Sequence, residues 1–266
     1  MIKDITFGQF IDTNSIIHKL DPRTKLVLLV AFMVFLLFFV KSFIAMGIFA
    51  LFVLVLMFVS KIPVSMYFKN IKTILPIIIL TVILNTFYTA EGDVLFNYWI
   101  FTITSGGLSK AFFMTARIIL LILASALLSY TTSPTSLTGA IESLLKPLSL
   151  IGLKNAVHIM AMTMTIALRF IPTLIDETNK IMNAQKARGA DLESGSLIRR
   201  IKSLIPILVP LLISSVRRAY ELADAMECRC YSGSSGRTKY RIMKYSNIDL
   251  IALFIFIAVA VSSFII

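Results

Sequence analysis

With 266 residues, 58% of them hydrophobic and 15% charged, and a mean hydropathy of +0.88, the chain is too apolar for a soluble domain, whose charged fraction is about a quarter. Its formal charge of +12 does not argue for nucleic acid, because in a chain that crosses a bilayer the basic residues belong first to cytoplasmic loops facing anionic lipid. The two cysteines, Cys228 and Cys230, are separated by one residue, so they form neither a disulfide framework nor a zinc-binding set and point to a reducing compartment.

Residues 1–24 carry Asp4, Gln9, Asp12, Asn14 and Asp21 without a continuous apolar core or a small-residue cleavage site, so no removable signal peptide is expected. A membrane helix needs about twenty mostly apolar residues, and five stretches qualify: 25–41, 42–60, 71–90, 108–131 and 247–266. The third contains Pro76. The fourth contains Arg117, an intramembrane charge expected to face the protein interior in a structural pairing rather than to touch substrate. Residues 90–107 hold Glu91 and Asp93 but no Lys or Arg, as expected of an external loop.

After the fourth stretch, Thr132-Ser133-Pro134 reads as a break, with Ser133 or Thr135 capping a short helix over about 138–149. A long helix follows over 154–188, apolar until Ile175 and then carrying Asp176, Glu177, Asn179, Lys180, Asn183 and Lys186. In a second long helix Leu197, Ile201, Leu204, Leu208, Leu211, Ser215, Ala219, Leu222 and Met226 recur at steps of three or four, which makes it amphipathic and roughly 45 Å long. Pro206 and Pro210 are expected to bend it.

Residues 156–175 and 204–214 are apolar enough to be scored as further spans. Their crossing, however, would carry Lys180, Lys186, Arg188, Arg199, Arg200 and Lys202 to the outside, against the charge rule. The fold class expected is therefore an all-α integral membrane protein with about five transmembrane helices, plus a short and two long helices on the cytoplasmic side. Residues 1–131 form a four-span bundle, 132–246 the cytoplasmic-side section and 247–266 the final span. The N-terminus is then cytoplasmic and the C-terminus external.

The two long helices end alike. Ala184-Gln185-Lys186-Ala187-Arg188 and Ala225-Met226-Glu227-Cys228-Arg229 each set an arginine four residues after an alanine, one helical turn away. Capping explains one such arginine, because a cation favours the negative end of the helix dipole. It does not require the repetition, which suggests a docking device. Met160, Met162, Met164 and Met182 suit a surface that repacks against a partner, with core filling as the plain alternative.

No G-x-x-x-x-G-K-[ST] occurs, so the chain has no P-loop of its own. His18 and His158 are too few and too separate for a metal site, and no G-x-S-x-G elbow or serine-lysine pattern suggests nucleophilic catalysis. No cofactor, metal or enzymatic activity is expected on this chain.

Phe7-Gly8-Gln9-Phe10 with Ser15, His18-Lys19-Leu20-Asp21-Pro22-Arg23-Thr24-Lys25, Thr132-Ser133-Pro134, Arg169-Phe170-Ile171-Pro172, Ala187-Arg188-Gly189 and Cys228-Arg229-Cys230 together give nearly end-to-end similarity to a known family. The chain resembles the transmembrane coupling (T) component of energy-coupling factor transporters, the EcfT/CbiQ family of ABC-type importers of vitamins and transition-metal ions. The second arginine motif departs from the family's Ala-Arg-Gly by carrying cysteines on both sides.

The resemblance implies a coupling subunit in a bacterial or archaeal plasma membrane, partnered by two ABC-type ATPase subunits that bind the ATP and by a substrate-binding membrane (S) subunit. Ala187, Arg188, Gly189, Cys228, Arg229 and Cys230 would then dock on the ATPases, and Met160, Met164, Leu204, Leu208 and Leu211 would face the substrate-binding subunit, in the uptake of a vitamin or micronutrient. Two other readings stay open. A self-sufficient secondary transporter predicts inverted halves and midplane polar residues. A lipid-binding scaffold predicts tolerance of Arg→Lys.

Overall fold

A computed structural model describes residues 10–88, 93–98, 101–147, 152, 154–190, 197–233 and 243–265. Phe7, Gly8 and Gln9 of the opening motif and the 148–149 end of the expected short helix lie outside these residues. The described chain forms α1 (Ile16–Lys19), α2 (Pro22–Phe38), α3 (Phe43–Ser60), α4 (Val64–Tyr88), β1 (Val94–Tyr98), β2 (Phe101–Thr104), α5 (Ser105–Thr131), α6 (Pro134–Leu144), α7 (Lys154–Ala187), α8 (Leu197–Glu227) and α9 (Asn247–Ile265).

The described residues are all-α apart from one small hairpin. Each of the five expected membrane stretches folds as a helix: α2, α3, α4, α5 and α9. Among the described residues, six helices are long and apolar enough to cross a membrane, namely α3, α4, α5, α7, α8 and α9. At 17 residues α2 sits near the short end of what a bilayer accepts. The 90–107 region, expected as a plain loop, holds the antiparallel pair β1–β2, with Tyr98 opposite Phe101.

Local chemistry sets the helix starts. Asp21 accepts the Arg23 backbone N–H at 2.9 Å ahead of Pro22, whose missing N–H costs nothing at the first helical position. Ser42 Oγ accepts from Ile44, and Thr104 Oγ1 from Gly107 at the head of α5. Ser133 Oγ accepts from Ser136 with Pro134 next in line, so the short helix begins at 134 rather than near 138. The same cap-plus-proline device works at both sites. Inside α4, Pro76 is carried without a break.

Two compact units divide the chain, Gly8–Ala140 with Ile242–Ile266, and Met1–Phe7 with Ile141–Arg241. In the first, α5 packs on α2, α3 and α4, and α9 packs on α2 and α3. Its core holds Phe32, Leu36, Phe49, Val53, Tyr67, Leu120, Tyr130 and Phe256. Phe49 meets Phe32 edge-on at 5.4 Å, and Tyr67 meets Tyr130 in the same way at 5.4 Å. Both buried hydroxyls are satisfied: Tyr130 donates to the Met66 carbonyl at 3.2 Å, and Tyr67 shares a bond with Ser60 Oγ. The outer faces are apolar, with Phe38, Phe58 and Phe264 each more than two-thirds exposed, as befits helices solvated by lipid.

Candidate functional site

In the second unit α7 and α8 lie side by side and antiparallel. Contacts run down one helix as they run up the other. Gln185 Nε2 approaches the Pro206 carbonyl at 3.5 Å, Arg218 Nη2 donates to Glu177 Oε2 at 2.7 Å, and Tyr231 Oη donates to Met162 Sδ at 3.0 Å beside His158. The first contact has a cause in the backbone. Pro210 has no N–H for the carbonyl four residues earlier, so Pro206 O lacks its helical donor and an amide from the other helix approaches instead.

Between the helices runs an open groove of about 520 Å³, lined by Ile166, Phe170 and Leu174 from α7 and Ser215, Ala219 and Leu222 from α8. The Glu177–Arg218 pair sits at this groove, each side chain about a quarter to a third exposed. The amphipathic stripe read from the sequence therefore meets α7 in its distal half. In the proximal half Ile207 turns inward at 5% exposure, while Leu204 and Leu208 stand out at 46% and 57%.

Ile205, Val209 and Leu212 are likewise exposed, so the proximal half of α8 is apolar over a wide arc. Sequence reasoning missed these three because it followed one stripe where two faces are apolar. On α7, Met160 is exposed and Met164 half-buried, and Leu211 on α8 is half-buried.

The two arginine ends share one backbone. Arg188 closes α7, and Gly189 then turns left-handed (φ 84°), its N–H donating to Lys186 O at 3.0 Å while Ala190 N–H reaches Gln185 O at 3.0 Å. Arg229 closes α8, and Cys230 turns left-handed (φ 54°), donating to Glu227 O at 2.8 Å while Tyr231 N–H reaches Met226 O at 3.1 Å. Both are Schellman turns, which satisfy the last carbonyls of a helix through a left-handed residue.

Glycine adopts that conformation freely and cysteine at a cost, yet the outcome is the same. The difference in sequence between the two motifs is therefore not a difference in chain path. Ala187, Arg188, Gly189, Cys228, Arg229 and Cys230 are all exposed. Among the described residues neither guanidinium has an ion-pair partner.

Antiparallel pairing sets the two arginines at opposite ends of the helix pair, roughly 35 Å apart at 1.5 Å per residue. Each end presents one cation, with five donors in a planar fork, on a helix whose carbonyls are already satisfied. Such a pair can grip two separate acidic or carbonyl-rich surfaces at once. Among the described residues no group of three or more His, Cys, Asp or Glu could hold a metal ion.

Residues 13–240 match the family model CbiQ, described as cobalt transport protein. The chain is 51% identical over 253 residues to the energy-coupling factor transporter transmembrane protein EcfT of Clostridium kluyveri, covering 95% of this chain and 93% of that one. It is 47% identical over 251 residues to the same protein of Ruminiclostridium cellulolyticum, covering 94% and 92%. With that of Bacillus subtilis the identity is 42% over 251 residues, covering 94% and 93%.

Proposed function

This chain belongs to the CbiQ family of cobalt transport proteins, and on that premise we propose that it is the transmembrane coupling component of an energy-coupling factor importer. It is a multi-pass membrane subunit and does no chemistry itself; with no P-loop of its own, it borrows ATP hydrolysis from two ABC-type ATPase partners. The observation that carries this reading is the repeated Schellman end, which presents Arg188 and Arg229 at opposite ends of one helix pair.

Residues 132–246 are the coupling section, on the cytoplasmic side between the four-span bundle of 1–131 and the final span of 247–266. The N-terminus is cytoplasmic and the C-terminus external. Although α7 and α8 are apolar enough to span, crossing would place their many basic residues outside. Arg188 and Arg229 each enter a groove on one ATPase, and their flanking residues shape the turn that presents them. The exposed Met160, Leu204 and Leu208 and the half-buried Met164 and Leu211 meet a substrate-binding membrane subunit.

Closure of the ATPases on ATP moves the two ends, and the ties at Glu177–Arg218 and Tyr231–Met162 make α7 and α8 shift together. Transport then requires that the substrate-binding subunit contact the two positions of this surface differently. The substrate is a vitamin or micronutrient selected by that other subunit.

Co-purification with the two ATPases, comparing wild type with Arg188→Ala, Arg229→Ala and the double variant, tests the reading. Loss of one member of a buried charged pair at an interface costs about 2 to 5 kcal/mol, so the double variant is expected to lose its ATPases and ATP-driven uptake. Intact assembly and uptake in the double variant sink it. Arg→Lys at both sites separates groove docking from lipid binding, because only the groove needs the planar fork.

A further inference from the structure

Both cysteines of this chain lie at one of the two helix ends, one on each side of Arg229, and both are exposed. The matching positions on α7 are Ala187 and Gly189. Thiol chemistry can therefore reach one docking arginine and not the other. Cys230 holds a left-handed backbone that glycine would hold without strain, so a thiol stands where the fold alone favours no side chain. The next residue, Tyr231, is tied to Met162 on α7, which holds the thiol-bearing turn against the helix pair.

We infer that Cys228 and Cys230 form a thiol-modification site that releases the Arg229 end from its ATPase when the pool of acidic low-molecular-weight thiols is oxidised to disulfides. This rests on the docking reading above. In the step, a cysteine sulfur in its thiolate form attacks one sulfur of a disulfide such as glutathione disulfide. A protein–glutathione S–S bond forms and the S–S bond of the reagent breaks. The departing glutathione thiolate takes up the proton that the cysteine released. The cysteine is oxidised and half of the reagent reduced, so no other oxidant enters.

The adduct brings carboxylates beside Arg229, where they accept its guanidinium N–H groups in place of the partner's acceptors. Its bulk also covers the surface around the tip. Arg188 has no neighbouring thiol, so one of the two contacts is lost and the other kept. A two-point grip becomes a one-point tether, which leaves the helix pair without opposed forces at its ends.

The test uses the full chain in detergent, treated with glutathione disulfide and then mixed with the two ATPases encoded in its own genome. Intact-mass measurement is expected to show glutathionyl adducts, ATPase retention to fall about tenfold, and dithiothreitol to restore it. The Cys228→Ala/Cys230→Gly variant is expected to show no adduct and no change on treatment relative to its own untreated level. A chain that carries the adduct and keeps its ATPases overturns the inference, as does a wild-type chain that takes up no adduct. Unmodified Arg229→Ala separates the two ideas. If it too keeps its ATPases, the docking reading fails; if it loses them while the glutathionylated chain does not, only the thiol inference fails.

Discussion

Lys25 and Arg117 close opposite ends of one antiparallel helix pair. Lys25 Nζ, near the start of α2, donates to the Thr131 carbonyl at the end of α5 at 2.8 Å, and Arg117 Nη2, on α5, donates to the Val40 carbonyl just past α2 at 2.7 Å. Each cation meets a helix end where unpaired carbonyls leave partial negative charge, and Arg117 also lies 4.8 Å over the Phe113 ring. The intramembrane arginine is thus a structural clasp.

Arg117→Met is expected to lower the stability of the detergent-solubilised protein by about 2 kcal/mol, because the Val40 carbonyl loses a charged donor where water is scarce. Arg117→Lys keeps the charge without the fork and should lose about 1 kcal/mol. Thermal unfolding of the three proteins measures this. An unchanged midpoint in the methionine variant would contradict the clasp.

Asp249 joins α9 to the start of α2. Its carboxylate accepts the Ser246 N–H at 2.7 Å, as the acid of a capping box, and the Asp21 N–H at 2.9 Å, while only 4% exposed. Asp249→Ala strands two backbone donors and should cost about 3 kcal/mol, whereas Asp249→Asn retains one acceptor oxygen and should cost about half of that. Amide exchange at Asp21 and Ser246 reads out each bond separately, and both should accelerate in the alanine variant.

The two helix ends differ in strain although they share a path. Cys230→Gly removes the cost of a left-handed non-glycine residue, about 1 kcal/mol, and should slow exchange of the Tyr231 amide about fivefold. Gly189→Ala should have the opposite effect on the Ala190 amide, by a similar factor. If neither amide responds, the turns are held by contacts other than their own backbone bonds.

Glu177 and Arg218 tie α7 to α8 while still partly open to solvent, which limits their worth. A double-mutant cycle with Glu177→Ala and Arg218→Ala is expected to give a coupling of about 0.5 to 1 kcal/mol. The swapped pair Glu177→Arg with Arg218→Glu should recover part of what either single reversal loses. A coupling near zero would mean that the groove's apolar walls alone hold the helices together.

Much of this protein was legible in the order of its residues. Apolar runs of bilayer length fall into α2, α3, α4, α5 and α9, and the three-and-four spacing from Leu197 to Met226 falls into α8, because helix formation in lipid needs only local hydrogen bonds and a long apolar stretch. Asp21 and Pro22 announced a helix start for the same local reason. The 71–90 stretch lies in α4, whose helix already begins at Val64, while the error was local: α6 starts at Pro134, not near 138, because the Ser133 cap acts at once.

The arginine repeat was visible in the sequence too, as was its likeness to a known family. What it did not contain was the spatial relation of its two copies. That depends on the antiparallel register of α7 and α8, set by Glu177 meeting Arg218, by Gln185 answering the carbonyl that Pro210 leaves, and by Tyr231 reaching Met162. Contacts between residues so far apart in the chain have no local signature. Nor does a cysteine's own preference announce the left-handed backbone at Cys230, where the bonds from Cys230 N–H to Glu227 O and from Tyr231 N–H to Met226 O close the helix. Composition and periodicity determined the helices and the chemistry at their ends; only the tertiary structure decided that those ends point away from each other and share one turn.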